Sequence, residues 1–226
     1  MAESVLIIGA SRGIGLGLAK AFAERGWQVT ATVRDRSKPG GLDKISGVTI
    51  ETVDIAEAAS ARALAERLAD VTFDVVIVNA GMGGPRGEKP ETVNDADFCQ
   101  LFLTNALGPV RIAEFLIGCV RPQTGVIGLM TSQLGSVEQA SAGGVELYRA
   151  SKAALNSFTR SFAARHRELG LAILSLHPGW VKTDMGGPNA PVTVEDSAAG
   201  LLAVIERARK DRQDGYFDYR GETLPW

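Results

Sequence analysis

The 226-residue sequence contains few of the residues from which disulfides and metal sites are built, with 2 cysteines and 2 histidines. Cys99 and Cys119 cannot supply a disulfide framework, and the same scarcity excludes a Cys/His metal cluster. We therefore expect a reduced, cytoplasmic protein without a metal site. Both cysteines lie in helix-like stretches, where we expect their thiols to be packed against neighbouring side chains.

Charge of one sign, aromatic residues and long apolar runs are also scarce. The net charge is −2 and aromatic residues make up 6% of the sequence without clustering, which excludes a basic surface or a stacking platform for nucleic acid. The longest apolar runs, residues 5–8 and 75–78, have the length of strands, and no basic segment precedes the first. We therefore expect no targeting segment and no membrane-spanning helix.

Glycine, in contrast, is abundant, with 26 among the 226 positions against about 7% in average proteins. The glycines follow no strict period and the prolines number only 9, which excludes collagen-like and low-complexity structure. The surplus therefore needs a local explanation, in turns or where the backbone approaches a ligand closely. Fourteen of the glycines lie in four short segments, each of which follows a predicted strand: residues 9–17, 81–87, 135–144 and 179–187.

Short apolar runs alternate with helical patterns from one end of the sequence to the other. The runs are hydrophobic throughout, which indicates parallel strands buried on both faces. The alternation predicts a single-domain (residues 1–226), doubly wound, Rossmann-type α/β fold with about seven parallel strands and helices on both faces. Ligands of such folds bind at the carboxyl ends of the strands. The predicted strands include 5–8, 29–33, 48–53, 75–78, 126–130 and 172–176, and the predicted helices include 15–25, 56–69, 95–120 and 146–169.

The first predicted strand leads into a glycine-rich turn, residues 9–15, and then into a helix. Gly9 permits a tight turn, Gly13 lets the backbone approach a pyrophosphate, and Gly15 allows close contact between helix and strand. The N-terminus of the helix offers free N–H groups and a partial positive charge to phosphates. Such a turn is also compatible with a plain connection, but its place between strand and helix favours a dinucleotide site.

The G-x-x-x-G-x-G spacing of this turn resembles the short-chain dehydrogenase/reductase family, and the resemblance extends over nearly the whole sequence. Further motifs of that family are Asn79-Ala80-Gly81, Ser132 in Ser-x-x-Gly, Tyr148-x-x-x-Lys152, and Pro178-Gly179 followed by Thr183. The resemblance implies a nicotinamide cofactor. The residues implied to bind it are Gly9, Ser11, Arg12, Gly13, Ile14, Gly15, Arg34, Asp54, Ile55, Asn79, Ala80, Gly81, Tyr148, Lys152, Pro178, Gly179, Val181 and Thr183.

Two segments resemble a narrower group within this family. Residues 177–187 are similar to the C-factor group and to animal carbonyl reductases, and the segment from Gly215 to Trp226 supports the C-factor resemblance. C-factor proteins take part in developmental signalling, and their animal relatives reduce reactive carbonyls with NADPH. The resemblance therefore implies a reductase and leaves a signalling context open.

The choice of nicotinamide cofactor depends on the end of the second predicted strand, Val33-Arg34-Asp35. Arg34, with Arg12 in the glycine turn, could face a 2′-phosphate from two sides, and a guanidinium can bind phosphate bidentately. This arrangement is similar to NADP(H)-preferring family members, so NADP(H) is the preferred prediction. NAD(H) remains an alternative because the Asp35 carboxylate could bind the ribose hydroxyls, and both arginines could be solvated surface residues. Asp54, in the implied adenine-contacting pair, could also cap the next helix.

Tyr148 and Lys152 are four residues apart on a predicted helix, so both side chains lie on one face. Hydride transfer to a carbonyl carbon leaves an alkoxide that needs a proton, and a nearby ammonium would lower the pKa of a tyrosine that supplies it. By resemblance, Ser132 polarises the substrate carbonyl, Lys152 holds the nicotinamide ribose, and Asn105 links Lys152 to solvent through water. Gly108-Pro109 should distort the helix after Asn105 and free a backbone carbonyl for that water.

The preferred interpretation is an NADP(H)-dependent carbonyl reductase that acts on a small aldehyde or ketone, or on the corresponding alcohol, with Tyr148 as proton donor. The short segment after Thr183 indicates an open substrate site, with Arg86 as a candidate charge on its rim. A C-factor-like signalling or cofactor-sensing protein with little turnover is the alternative. Hydrolysis by Ser132 fits poorly because the G-x-S-x-G elbow is missing, and Ser132 and Asn105 could also be structural residues.

Two further expectations concern assembly and the second histidine. The family resemblance implies a homodimer through the two long predicted helices, residues 95–120 and 146–169. His177, at the end of the sixth predicted strand, could line the nicotinamide pocket, but a hydrogen-bonded structural histidine is the preferred interpretation.

Overall fold

The computed structural model of the protein describes residues 2–85, 87, 89–141 and 143–226. Seven strands form one parallel sheet in the order β3-β2-β1-β4-β5-β6-β7. The strands are β1 Ser4–Ile8, β2 Gln28–Val33, β3 Thr49–Thr52, β4 Val75–Val78, β5 Val126–Met130, β6 Ala172–His177 and β7 Gly215–Asp218. The predicted doubly wound parallel sheet is confirmed.

Six α-helices cover the two faces of the sheet within the described residues. They are α1 Gly13–Glu24, α2 Ala58–Arg67, α3 Asp95–Phe102, α4 Gly108–Leu116, α5 Glu146–Arg165 and α6 Val194–Asp211. Short 3-10 turns lie at Leu42–Lys44, Ile117–Cys119, Gln133–Gly135 and Arg167–Leu169.

The sheet divides the core into two layers, as the interior strand β1 shows. All five of its residues are buried, and its side chains alternate between the two faces of the sheet. Val5 and Ile7 pack in one apolar cluster with residues of α1 and α6. Leu6 and Ile8 pack in a second cluster with residues of α2, α4 and α5. A strand buried on both faces has no polar side to show, which explains its unbroken apolar sequence.

The outermost strand β3 is an exception to that pattern. Its residues are half-buried or exposed, since β3 pairs only with β2 and lies at the edge of the sheet. The prediction that every strand is buried on both faces is therefore wrong for β3.

The predicted helix over residues 95–120 is interrupted in the structure. A π-helical turn, Leu103–Leu107, separates α3 from α4. Pro109 has no N–H to donate to the carbonyl of Asn105, four residues earlier, so the regular hydrogen-bond ladder cannot continue. A Cβ at Gly108 would lie 2.6 Å from the carbonyl oxygens of Ile55 and Leu103, so only glycine allows this close packing. The predicted distortion at Gly108-Pro109 is confirmed.

The stretch Asp95–Cys119 passes a test for membrane-spanning helices by length and composition alone, with a mean hydropathy of 1.3. Half of its most apolar window is buried inside the fold. Core helices of soluble proteins have the same length and composition, so this stretch is only weak evidence for a membrane-spanning helix.

A carboxylate anchors the amino ends of the strands. Asp74 precedes β4, is almost fully buried, and accepts hydrogen bonds from Arg121 Nε at 2.7 Å and Arg209 Nη2 at 2.8 Å. The backbone N–H of Ser4 donates to the same carboxylate at 2.9 Å. Burial acts to raise the pKa of Asp74, but the hydrogen bonds and the two guanidinium charges hold it below its usual value. The contact joins β1, β4 and α6 at the edge opposite the carboxyl ends.

Candidate active site

The glycine-rich turn after β1 adopts a conformation that requires glycine. Gly9 has φ +86° and Gly13 has φ +56°, both in the left-handed region. A Cβ at Gly9 would lie 2.7 Å from the Cβ of Ala80, and a Cβ at Gly15 would overlap the carbonyl oxygen of Gly9. The turn is therefore packed directly against the segment after β4. Asn79 Nδ2 fixes this contact by donating to the carbonyl of Gly9 at 2.7 Å.

The N-terminus of α1 is suited to an anion. Within the described part of the chain, Arg12 at the N-cap makes no capping side-chain hydrogen bond, and the first turn contains no acidic residue. The first N–H groups of a helix have no partner within the helix, and the dipole adds partial positive charge. Uncapped N–H groups beside a glycine turn fit a pyrophosphate in both chemistry and shape.

The loop after β2 bears on the choice between the two nicotinamide cofactors. Asp35 Oδ1 accepts hydrogen bonds from the Ser37 N–H at 2.9 Å and from Ser37 Oγ at 2.7 Å. These bonds, with the Lys38 ammonium, hold the pKa of Asp35 below its usual value. Arg34 is exposed at the end of β2, and Arg12 is exposed in the adjacent turn, where Nη1 lies 3.1 Å from Asp184 Oδ2. The Asp35 carboxylate is thus engaged within its own turn, whereas Arg34 faces solvent.

The same loop also contacts the glycine turn, a feature that our sequence analysis missed. Gly40 has φ +68°, and a Cβ there would overlap the carbonyl of Ser11. The adjacent glycines Gly40 and Gly41 are the sequence feature that could have indicated this contact. They lie outside the four glycine-rich segments that follow predicted strands.

Asp54 and Ile55 follow β3 at the carboxyl edge. Asp54 Oδ1 accepts a hydrogen bond from the Ala56 N–H at 3.0 Å, and its own N–H donates to Ser60 Oγ at 2.9 Å. Helix α2 begins at Ala58 with Glu57 as its N-cap. The alternative that Asp54 caps this helix is therefore wrong.

The segment after β6 lies over the glycine turn. A Cβ at Gly13 would be 3.3 Å from Thr183 Cγ2. Val181, in the same segment as Thr183, is buried. Gly179 has φ +86°, and the carbonyl of Pro178 accepts a hydrogen bond from Ser197 Oγ at 2.7 Å. The structure thus brings the motifs after β1, β4 and β6 together, as the sequence predicts.

Ser132, Tyr148 and Lys152 lie together at the carboxyl edge of the sheet, near the ends of β5 and β4. Lys152 is buried, and its Nζ donates to the carbonyl of Met130 at 2.9 Å and lies 5.9 Å from the centre of the Tyr148 ring. Ser132 follows β5 directly, and its Oγ accepts a hydrogen bond from the Leu134 N–H at 3.2 Å. Ser132 therefore begins a 3-10 turn, and its side chain lies close enough to Tyr148 to influence the pKa of the phenol.

Asn105 lies fully buried in the π-helical turn and holds two neighbouring segments. Its amide accepts from the Met82 N–H and donates to the Met82 carbonyl, both at 2.8 Å, and it donates to Ser151 Oγ at 3.1 Å. A Cβ at Gly81 would lie 3.3 Å from Asn105 Oδ1 and 3.5 Å from Lys152 Nζ. The absence of a side chain at Gly81 keeps the space between these two groups open.

Residues 3–191 match the model of the family described as short chain dehydrogenase. The chain belongs to the short-chain dehydrogenase family. It is 39% identical over 166 residues to the C-signal protein of Myxococcus xanthus, a match that covers 73% of this chain and 99% of that protein. This similarity confirms the C-factor resemblance.

Solved structures of the family superimpose closely on this short-chain dehydrogenase. A protein from Burkholderia multivorans, described as a short-chain dehydrogenase/reductase with bound NADP, is 42% identical with a TM-score of 0.94 over 100% of both chains. A carbonyl reductase from Pseudomonas aeruginosa in complex with NADP is 43% identical with a TM-score of 0.91, also over 100% of both chains. The protein is therefore an oxidoreductase of this family.

Burial dominates the ionisation of the Tyr148 and Lys152 side chains. Burial raises the pKa of Tyr148, and the nearby Ser132 side chain opposes this only in part. Burial also lowers the pKa of Lys152 to about 8. The expectation that Lys152 lowers the pKa of Tyr148 is not met in the protein alone, because the ammonium is directed to the Met130 carbonyl and is itself destabilised.

Burial of the Lys152 cation should lower the free energy of unfolding of this short-chain dehydrogenase. Its pKa is lower in the folded than in the unfolded chain, so the cost is fully present below pH 8 and disappears as the pH rises towards about 10.4. We expect Lys152→Met to raise the free energy of unfolding at pH 7 by about 1–2 kcal/mol, after loss of the hydrogen bond to Met130. Urea unfolding at pH 7 and pH 10 measures this gain, which should shrink at the higher pH.

A matched control for this prediction is Lys20→Met, since Lys20 is exposed on α1. It should change the free energy of unfolding by less than ~0.5 kcal/mol. A loss of stability in Lys152→Met at pH 7 would contradict the assignment of a destabilised cation.

Two expectations for single residues need correction. The Nδ1 atom of His177 is buried without a hydrogen-bond partner among the described residues, and burial lowers its pKa to about 4, so it is neutral at pH 7. The prediction that His177 is a hydrogen-bonded structural histidine is therefore wrong for its Nδ1 atom. Cys119 is packed as expected, but Cys99 is exposed because it lies on the outer side of α3.

The loops around the site expose apolar side chains. Val137 and Val145 flank the Tyr148 helix, and Trp180 and Met185 follow β6; all four are more than half exposed. A Cβ at Gly83 would lie 3.5 Å from Met185 Cγ, so the loop after β6 reaches the loop after β4. Arg86, the candidate rim charge, lies outside the described residues.

Proposed function

We propose that this short-chain dehydrogenase is an NADP(H)-dependent carbonyl reductase that transfers hydride between NADPH and a small aldehyde or ketone, with Tyr148 as proton donor. The observation that carries the proposal is that Ser132, Tyr148 and Lys152 lie together at the carboxyl edge of the sheet, the edge at which the glycine turn and the uncapped N-terminus of α1 also lie. The NADP carried by similar solved structures supports the cofactor. The free thiols of Cys99 and Cys119 support a cytoplasmic location as part of the same proposal.

The proposed cofactor site is formed by backbone along the carboxyl edge. The glycine turn and the N-terminus of α1 would hold the pyrophosphate, and Arg34 and Arg12 the 2′-phosphate. Segments 54–55, 79–81 and 178–183 would contact the adenine, the ribose and the nicotinamide. When bound, the cofactor supplies the hydride; this chain supplies position and a proton.

The proton path in the proposal uses the side chains of Ser132, Tyr148 and Lys152. The Ser132 hydroxyl donates a hydrogen bond to the substrate carbonyl oxygen and polarises it. The Tyr148 hydroxyl, close to Ser132, gives its proton to the same oxygen as negative charge develops there. Lys152 places a cation near the resulting phenolate, and Asn105 holds the segment at Met82 that bounds the site.

The proposal is tested by following NADPH oxidation with a panel of aldehydes, ketones and quinones, each repeated with NADH. We expect turnover of several apolar carbonyls with NADPH and much slower turnover with NADH. Turnover with NADH alone would remove the cofactor assignment, and absence of turnover across the whole panel would remove the reductase assignment.

The cofactor preference can be tested at a single exposed arginine. Arg34→Ala removes a guanidinium that we expect to contact only the 2′-phosphate, so NADPH binding should weaken about 10- to 100-fold while NADH binding changes less than about threefold. Arg36→Ala is the matched control, because Arg36 donates to the carbonyl of Ile50 at 2.9 Å. Fluorescence titration measures both affinities. Equal losses for the two cofactors would contradict the role of Arg34.

The similarity to C-signal favours a second candidate, a signalling or sensing protein with little turnover. The two proposals differ in one measurement. A sensor would bind NADPH tightly and leave it unconsumed with every carbonyl in the panel, whereas a reductase would consume it.

We also propose a homodimer through the two long helices. Phe98 and Leu107 in the 95–119 stretch and Phe158 on α5 are each exposed by about two fifths, which leaves apolar surface on both helices for contact with a second copy. Light scattering after size-exclusion chromatography should give the mass of two chains for the wild type and of one chain for Phe158→Asp. A monomeric wild type would remove the proposal.

A further inference from the structure

A buried tyrosine on β7 reaches the backbone of Ser132. Tyr216 is fully buried, and its Oη donates a hydrogen bond to the Ser132 carbonyl oxygen at 2.5 Å. The same oxygen accepts the Gly135 N–H at 2.7 Å. The Ser132 carbonyl is therefore held from within its own turn by Gly135 and from outside it by Tyr216.

The turn that begins at Ser132 is also pressed onto the helix that carries Tyr148 and Lys152. A Cβ at Gly135 would lie 2.8 Å from the backbone carbon of Lys152. Asn156, one helical turn after Lys152, donates its amide to the Gly135 carbonyl at 3.3 Å. The serine turn is thus held to β7 through the Tyr216 hydroxyl and to α5 through Asn156.

The hydroxyl of Tyr216 is a permanent donor. Burial raises its pKa to about 12, so the group keeps its proton over the whole range in which proteins act. Such a group has no use as a proton shuttle near neutral pH, but it can hold an acceptor in place.

Trp226 covers Tyr216 from the other side. The two ring centres lie 5.2 Å apart, and the Arg160 guanidinium lies 5.1 Å from the Trp226 ring centre. The backbone oxygen of Trp226 accepts hydrogen bonds from the Glu138 N–H at 3.2 Å and from Ser136 Oγ at 3.3 Å. Trp226 thereby ties Tyr216 to the loop that continues from the serine turn.

We propose that Tyr216 is a positioning residue, which fixes the turn of Ser132 against α5 and so sets the distance between the Ser132 and Tyr148 hydroxyls. This role rests on the proposed reductase function, because it matters only if Ser132 and Tyr148 act on one substrate oxygen. It gives the segment from Gly215 to Trp226 a part in the reaction without contact to substrate.

Tyr216→Phe removes the hydroxyl and keeps the ring beside Trp226. We expect kcat for carbonyl reduction to fall about tenfold, with NADPH affinity unchanged, because misplacement of a catalytic group by a fraction of an ångström acts on the transition state. In a Ser132→Ala background the same substitution should change kcat less than twofold. Tyr219→Phe is the control, since among the described residues its hydroxyl accepts its hydrogen bond from the exposed Arg220 guanidinium, at 3.1 Å.

The double variant decides between positioning and general destabilisation. An equal tenfold loss with and without Ser132, or no loss in the wild-type background, would overturn the proposal. If Tyr216→Phe does not fold, Trp226→Leu tests the same path, because it removes only the ring beside Tyr216 and should also lose kcat only when Ser132 is present. A wild type without any turnover refutes the reductase itself, whereas an active wild type with an unaffected Tyr216→Phe refutes only the positioning role.

Discussion

Replacing Tyr148 by phenylalanine is expected to lower kcat for NADPH-dependent carbonyl reduction about 10³-fold, within the range of a general acid. The substitution removes one oxygen and leaves the ring on α5, so the fold and the cofactor site should persist. NADPH affinity should change less than about threefold. The loss should appear in kcat, because the proton is needed only as negative charge develops on the substrate oxygen.

Measurement of this loss needs a hydroxyl deletion elsewhere as control. Tyr219→Phe, with its hydroxyl at the exposed Arg220, should retain the wild-type kcat. Stopped-flow absorbance of NADPH under single-turnover conditions separates the chemical step from product release. A Tyr148→Phe protein that reduces the same carbonyls at the wild-type rate would show that another group donates the proton.

Gly15→Ala is expected to have the second-largest effect, on cofactor binding. The added Cβ would overlap the backbone carbonyl of Gly9 and lie 2.7 Å from Asn79 Nδ2, which is itself held by its hydrogen bond to that carbonyl. The turn must therefore move, and its N–H groups lose their alignment towards the pyrophosphate. We expect NADPH affinity to fall about 100-fold, as two or more charge-assisted hydrogen bonds are lost or weakened. Overpacking should also cost about 1–3 kcal/mol of stability.

Gly118→Ala is the matched control for this substitution. A Cβ at Gly118 meets nothing within 4 Å, so the same added methyl group should leave affinity and stability unchanged. Titration of NADPH by fluorescence, with thermal unfolding of both variants, provides the comparison. Wild-type affinity in Gly15→Ala would mean that the turn does not bind the pyrophosphate.

The alternation of strands and helices and the meeting of the motifs were predictable because each rests on local sequence. Val5 to Ile8, the turn that follows and the i, i+4 pair Tyr148 and Lys152 carry their signals within a few residues. The contact between Tyr216 and Ser132 joins positions 84 residues apart and has no local signal. The family resemblance pointed to that segment without indicating what its residues touch.

Ionisation was the least predictable property of the site. The sequence places an ammonium near a phenol and so suggests a lowered tyrosine pKa, yet both groups respond mainly to burial. Burial depends on how the 3-10 turn at Gln133–Gly135 and the loop after β4 close over α5. Asp35 gives the same lesson, since its engagement by Ser37 depends on a turn geometry that the sequence leaves open.

The position of Asp74 has a practical consequence for anyone who wishes to redesign this protein. Its carboxylate and the two arginines bound to it lie at the amino ends of the strands, whereas the glycine turns lie at the carboxyl ends. Stability contributed by a carboxylate of lowered pKa is lost as the solution is acidified through that pKa. Substitutions that change stability in acid can therefore be made at the amino ends of the strands. Substitutions that change substrate or cofactor selectivity can be made at the carboxyl ends, and the two sets should affect one another little.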